Sequence, residues 1–207
     1  MTQKERQERS RREIRRAAME EFGSKGYEAA TMDGICVRGG ISKGMIYHYY
    51  TGKDALFLLC VGDMFRSMAE YVSRAMEEEG EEPENGRSCI RRFFSLRERY
   101  FQEHPLEKTV FENAMLHPPK HLREDIQRLR GPVQDINRRF LGRALSRLTL
   151  REGVDRQRAY RYLESLEGTL FPIVEGYQGQ EKITDVKALF ALSEEVLDML
   201  LFGIARE

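Results

Sequence analysis

The sequence predicts an all-α fold, with a small three-helix head followed by a larger helical body. Three observations carry this. Apolar residues recur at three- and four-residue intervals along most of the 207 residues, and no stretch alternates as a half-buried strand would. Gly and Pro cluster mostly between those stretches, at Gly39-Gly40, Gly80 to Gly86, His104-Pro105, His117-Pro118-Pro119 and Gly131-Pro132. Residues 31–56, TMDGICVRGGISKGMIYHYYTGKDAL, have the grammar of a helix-turn-helix running into the start of another helix.

Taken in order, residues 1–10 are charged. Arg6, Arg9, Arg11 and Arg12 form a basic arm that reads either as a solvated helix start or as a phosphate-contacting arm. Helix one is expected from about Ser10 to Gly23, with Ile14, Ala17, Ala18 and Phe22 as its apolar face. Gly26 stops the segment, and Tyr27 folds back on the core. Thr31 is the N-cap of helix two, whose Met32, Ile35 and Cys36 make one buried stripe. Gly39-Gly40 end that helix and supply a residue at positive φ. Ile41 is an apolar plug, and Ser42 caps a short helix three reaching about Tyr47. Helix four is expected from Lys53 to about Glu79, a rod of roughly 40 Å at 1.5 Å per residue.

The body reads as helices over about 87–103, 106–116, 121–130 and 133–150, separated by the Pro and Gly breaks. Its last two helices, at about 156–176 and 184–204, have apolar faces wide enough to bury more than one neighbour. Gly168 offers a close approach and Pro172 a kink in the first of them. The domain boundary is expected at the start of helix four, dividing residues 1–52 from 53–207.

Composition narrows the function. Net formal charge is zero, yet residues 1–60 carry 11 basic against 8 acidic side chains while the remainder is net acidic. A mildly basic head on an acidic body fits a single nucleic-acid-facing end. The three cysteines form no CxxC pair, the N-terminus lacks an apolar signal core, and the longest apolar run is Ala55 to Val61. A cytoplasmic protein with reduced thiols and no membrane segment is expected. No Gly-rich phosphate loop, nucleophile elbow or His-Glu-x-x-His motif occurs, so no enzyme and no cofactor are expected. His117 and His121 are four apart, but Pro118-Pro119 denies them a regular helix, and no metal is expected.

The head resembles the TetR family of transcriptional regulators. The resemblance rests on Ile14, Ala17, Ala18, Phe22, Gly26-Tyr27 and Thr31, then Gly40-Ile41-Ser42-Lys43-Gly44, Ile46 to Tyr50, and Lys53 to Leu56. It implies a C-terminal helical domain for ligand binding and dimerisation. The last two helices would pair with their copies in a homodimer, and each recognition helix would read half of a near-palindromic operator in double-stranded DNA. The candidate DNA-binding residues are Thr31, Ser42, Lys43, Gly44, Met45, Tyr47, His48, Tyr49 and Lys53. Lys43 reaches toward a guanine edge, Gly44 permits close approach, and Met45 suits a thymine methyl. Tyr47 and Tyr49 offer hydroxyls to phosphates, Lys53 acts as a phosphate clamp, and Thr31 offers a hydroxyl and a backbone N–H. Tyr50 is assigned to the core. Two departures from the family pattern are Gly34, where a polar helix former is usual, and Met45, where a small hydroxylated residue is usual.

Methionines and aromatics in the body suit either plain core or the wall of a ligand cavity. The set includes Met64, Phe65, Met68, Phe93, Phe94, Tyr100, Phe111, Met115 and Phe140. Phe65, Met68, Phe94, Tyr100, Phe111 and Met115 are the candidate walls for a small apolar or aromatic ligand, with Asn113 or His117 as its polar handle. The leading expectation is a repressor released by that ligand. The competing one is an all-α enzyme or small-molecule carrier with a purely structural head.

Overall fold

The computed structural model describes residues 2–78, 85–165, 176 and 183–203, and among these residues there is no strand. The helices are α1 (Gln3–Ala29), α2 (Met32–Gly39), α3 (Lys43–Tyr49), α4 (Lys53–Glu78), α5 (Gly86–Glu103), α6 (Pro105–Met115), α7 (Arg123–Arg128), α8 (Gly131–Ser146), α9 (residues 156–165) and α10 (Val186–Phe202). A single 3-10 turn, Lys120–Leu122, precedes α7. Residues 80–84 of the expected Gly80 to Gly86 loop and the positions Leu166, Gly168, Pro172 and Ile204 lie outside the described residues, and Gly86 itself opens α5. No helix among the described residues is long and apolar enough to cross a membrane.

Helix one departs from its expected limits at both ends. It starts at Gln3 because Thr2 and Glu5 form a capping box, with the Glu5 N–H donating to Thr2 Oγ at 3.2 Å and the Thr2 N–H to Glu5 at 2.7 Å. The pairs Arg9–Glu13 and Arg16–Glu20 brace its exposed side at i,i+4 spacing. Gly26, at φ 74° and ψ 173°, breaks the helix, and one further turn carries the chain to Ala29. Helix α8 instead stops early, at Ser146.

The chain forms two compact units. The first joins Met1–Ser67 to Phe101–Arg130, so the head, the first half of α4, α6 and α7 share one core. In it α1 packs on both α2 and α6. Ile14, Phe22, Ile35, Ile46, Leu56, Phe57, Met64 and Phe65 are almost wholly buried there. Rings meet edge-on at Phe22–Phe57 (5.2 Å) and Tyr27–Phe57 (4.8 Å), with Phe101–Phe111 tilted at 4.8 Å. A fully buried apolar side chain of this size contributes roughly 1.5–3 kcal/mol.

The second unit joins Met68–Tyr100 to Gly131–Glu207. Its core includes Val72, Ile90, Phe93, Tyr100, Ile136, Phe140, Val196 and Leu197. Arg87–Asp198 (2.8 Å) and Arg91–Glu194 (3.8 Å) tie α5 to α10. A recess of about 40 Å³ is lined by Met76, Cys89, Phe93 and Phe140, together with Arg92, Arg143 and Arg147. Phe93 and Phe140 stack there at 4.0 Å, nearly parallel.

Candidate nucleic-acid interface

The α2–turn–α3 element is built from local chemistry. Thr31 Oγ accepts the Gly34 N–H at 2.9 Å, and Ser42 Oγ accepts the Met45 N–H at 3.2 Å, so both helices are capped as their sequences require. Between them Gly40 takes the left-handed conformation, φ 62° and ψ 34°. Its N–H reaches the Val37 carbonyl and the Ile41 N–H reaches the Cys36 carbonyl, closing a Schellman turn. Ile41 is buried as the plug. The stripe on α2 is narrower than expected: Ile35 is fully buried, but Met32 and Cys36 are only half-buried.

Beneath this element lies a charged group that the sequence did not advertise. Glu21 on α1 is fully buried. Its carboxylate accepts from Lys25 Nζ (2.7 Å), Arg38 Nε (2.5 Å) and the Thr31 N–H (3.3 Å). Burial pushes this carboxyl up, but the bonds from Lys25, Arg38 and Thr31 outweigh it and hold it below its ordinary value. Arg38 also donates to Ser24 Oγ at 2.7 Å, so α2 is strapped to α1 at both ends. Gly34 now has a reason. A Cβ at that position would stand 2.0 Å from Glu21 Oε1, so only glycine lets α2 lie on this carboxylate.

The outer face presents most of the expected residues. Ser42, Lys43, Gly44, Tyr47 and His48 are exposed, and nothing lies within 4 Å of a Cβ built on Gly44. Tyr47 is 54% exposed on the short helix α3. Met45 and Tyr49 are half-buried. His48 meets the Tyr49 ring edge-on at 4.8 Å, and the Arg11 guanidinium lies 5.3 Å from the centre of that ring. Tyr50, expected in the core, is half-buried. Val37, overlooked in the sequence, is 82% exposed on α2; its place off the apolar stripe was the available signal.

Two expectations change. The Thr31 N–H is not directed outward for a phosphate, because it donates to Glu21; the exposed hydroxyl stays at the surface. Lys53 is half-buried, its ammonium donating to the Glu28 carbonyl at 3.1 Å and lying 4.4 Å from the centre of the Tyr27 ring. Beside it the Tyr27 hydroxyl donates to Asp54 at 2.6 Å, and His121 Nε2 lies 3.0 Å from the other Asp54 oxygen. The Tyr27 hydroxyl and His121 hold the Asp54 carboxyl below its ordinary value against the opposing effect of burial. Thus the start of α4 is fixed to the end of α1 and to the turn before α7.

The candidate ligand walls divide between the two units. Phe65, Phe111 and Met115 are buried in the first, and Met68, Phe94 and Tyr100 in the second. Asn113 is committed to structure: its Oδ1 accepts the Tyr27 N–H at 3.0 Å and its Nδ2 donates to the Thr109 carbonyl at 2.8 Å. His117 is exposed. Of the wider aromatic set, Phe93 and Phe140 line the recess. Leu197 faces the chain's own core, being 7% exposed.

Residues 14–60 match the family described as bacterial regulatory proteins, tetR family. These residues thus form a TetR-family helix-turn-helix head. Among TetR-type relatives, the HTH-type transcriptional activator FasR of Mycolicibacterium smegmatis is 30% identical over 104 residues, covering 50% of this chain and 46% of FasR. The HTH-type transcriptional regulator BetI 1 of Chromohalobacter salexigens is 30% identical over 137 residues, covering 63% of this chain and 60% of BetI 1. The chain thus spans about half the length of the curated relatives it matches. The TetR-type fold extends further. The repressor FadR of Thermus thermophilus, solved with lauroyl-CoA, superposes with a TM-score of 0.55 at 23% identity over 95% of this chain and 96% of FadR.

Proposed function

We propose that this TetR-family chain is a homodimeric, DNA-binding transcriptional repressor that leaves a near-palindromic operator when a small, mainly apolar molecule binds its body. The observation that carries the reading is the capped α2–turn–α3 element. It presents Lys43, Gly44, Tyr47 and His48 outward from a head fastened to α4 and α6. Recognition helices of a dimer meet successive major grooves about 34–36 Å apart, so a shift of α4 that changes their spacing ends simultaneous docking. Residues 1–52 supply the DNA-reading surface, and residues 53–207 the ligand response and dimerisation. What supports a ligand is that FadR, of the same fold, holds lauroyl-CoA; the recess in the second unit, about 40 Å³ beside stacked rings and three arginines, has room only for water and would have to open to admit an apolar molecule.

The decisive experiment is to recover and sequence genomic fragments bound by the purified chain, then measure affinity for the enriched site. Lys43→Ala and Tyr47→Ala should weaken that site selectively while helicity is retained. Sedimentation at micromolar concentration should give a dimer. Absence of any sequence-selective enrichment would leave the carrier reading in its place.

A further inference from the structure

The outward face of the head contains an ion pair that joins its two helices. Asp33 Oδ1 on α2 lies 2.5 Å from Lys43 Nζ on α3, and both side chains are mostly exposed, at 68% and 61%. The carboxylate raises the affinity of Lys43 for its proton. An acidic group on a face that docks phosphates opposes binding to DNA of arbitrary sequence. A carboxylate held beside a lysine can also accept a bond where a lone lysine cannot.

We propose that Asp33 and Lys43 act together as a reader of one G·C base pair in each operator half. The inference rests on the DNA-binding reading above. In the major groove a G·C pair shows two acceptors, guanine N7 and O6, followed at once by the cytosine N4 donor. Lys43 donates across N7 and O6, and Asp33, one hydrogen-bond length away, accepts from the neighbouring N4–H. An A·T pair interrupts this order by placing the adenine N6 donor where the ammonium needs its second acceptor. On any other duplex Asp33 must either keep Lys43 from the bases or stand unpaired beside the phosphates. The pair therefore selects by attraction to one base pair and by penalty on the rest.

The test is selection of sites from a randomised duplex library by the full chain, followed by sequencing and competition binding. Wild type should enrich a symmetric site with G·C at one position per half. Asp33→Ala should relax that same position by roughly five- to 150-fold, the range of one good base contact, and should raise affinity for random duplex. Lys43→Ala should relax the same position. Asp33→Asn, which keeps an acceptor oxygen for N4–H, should retain part of the preference. A wild-type site without that G·C position, or an Asp33→Ala site unchanged from wild type, overturns the pair reading alone. So does relaxation of different positions by the two alanine variants. No enrichment by wild type overturns the DNA-binding reading and this one with it. Unchanged thermal unfolding of Asp33→Ala confirms that the exposed substitution leaves the head folded.

Discussion

Replacing Gly34 by Ala is the sharpest probe of how the head is built, because two physical effects of known size oppose each other there. Alanine is favoured over glycine inside a helix by about 0.5–1 kcal/mol. Position 34 lies in the first turns of α2, so helix preference alone predicts a more stable protein. The structure predicts the reverse. The new Cβ would stand 2.0 Å from Glu21 Oε1 and 2.5 Å from its Cδ, well inside any tolerable contact. Glu21 is the end of a flexible side chain, yet it is fully buried and held by Lys25, Arg38 and the Thr31 N–H. Moving it an ångström sacrifices at least one charge-assisted hydrogen bond, worth roughly 1.5–3 kcal/mol, and adds overpacking strain of about 1 kcal/mol or more. After subtracting the helix gain, Gly34→Ala should destabilise the chain by about 1–3 kcal/mol. For a chain of this size that lowers the melting temperature by roughly 2–4 °C per kcal/mol. Urea unfolding at pH 7 measures it. In a Glu21→Ala background the obstruction is gone, and the same substitution should become stabilising by about 0.5–1 kcal/mol. A stabilising Gly34→Ala in the otherwise natural chain would refute the reasoning.

Glu107 in α6 has an oxygen buried without a hydrogen-bond partner among the described residues. Burial, reinforced by the charge of Asp63, raises its carboxyl from 4.5 to about 7. The folded chain therefore holds this proton more tightly than the unfolded chain. The stability this provides is full below pH 4.5 and lost as pH rises through 7. Glu107→Gln should match wild type near pH 4.5 and exceed it increasingly up to pH 8 in urea midpoints; a constant difference would contradict this. Lys53→Ala should weaken operator and random DNA alike and lower the salt slope by about one if Lys53 leaves the Glu28 carbonyl to meet a phosphate; an unchanged slope would assign it to structure alone. Asn113→Ala should leave the Tyr27 N–H without its acceptor and cost about 1–3 kcal/mol, read by thermal unfolding.

The parts of the head that depend on neighbours in sequence were legible. Thr31, Ser42 and Gly40 announce two caps and a turn because each acts on backbone groups within a few residues. The apolar positions Ile14, Ala17, Ala18 and Phe22 gave the core face of α1 correctly. Its true start did not show, because a capping box and i,i+4 ion pairs leave no apolar period. Glu21 was invisible for another reason: a buried glutamate looks like any other polar position until Arg38 and Lys25 are brought to it. Gly34 then seemed a defect of helix preference, when it is the space that Glu21 occupies. The pairing of Asp33 with Lys43 likewise depends on the angle between two helices, which no spacing encodes. The ligand walls were the least legible, since aromatic and methionine side chains have the same pattern in a solid core and in a cavity.

The first compact unit is discontinuous, and this delays its completion while the chain is made. The helix-turn-helix leaves the ribosome first, but Phe65 gains Phe111 and the Tyr27 N–H gains Asn113 only when Phe101–Arg130 follows. Residues 68–100, which belong to the other unit, must be synthesised in between. At about 5–20 residues per second, the head waits roughly several seconds with its α6-facing surface uncovered. A nascent or truncated chain thus has the helix-turn-helix sequence before it has all the contacts that hold it. The contacts that fasten the head to the rest of its unit arrive only with that later segment.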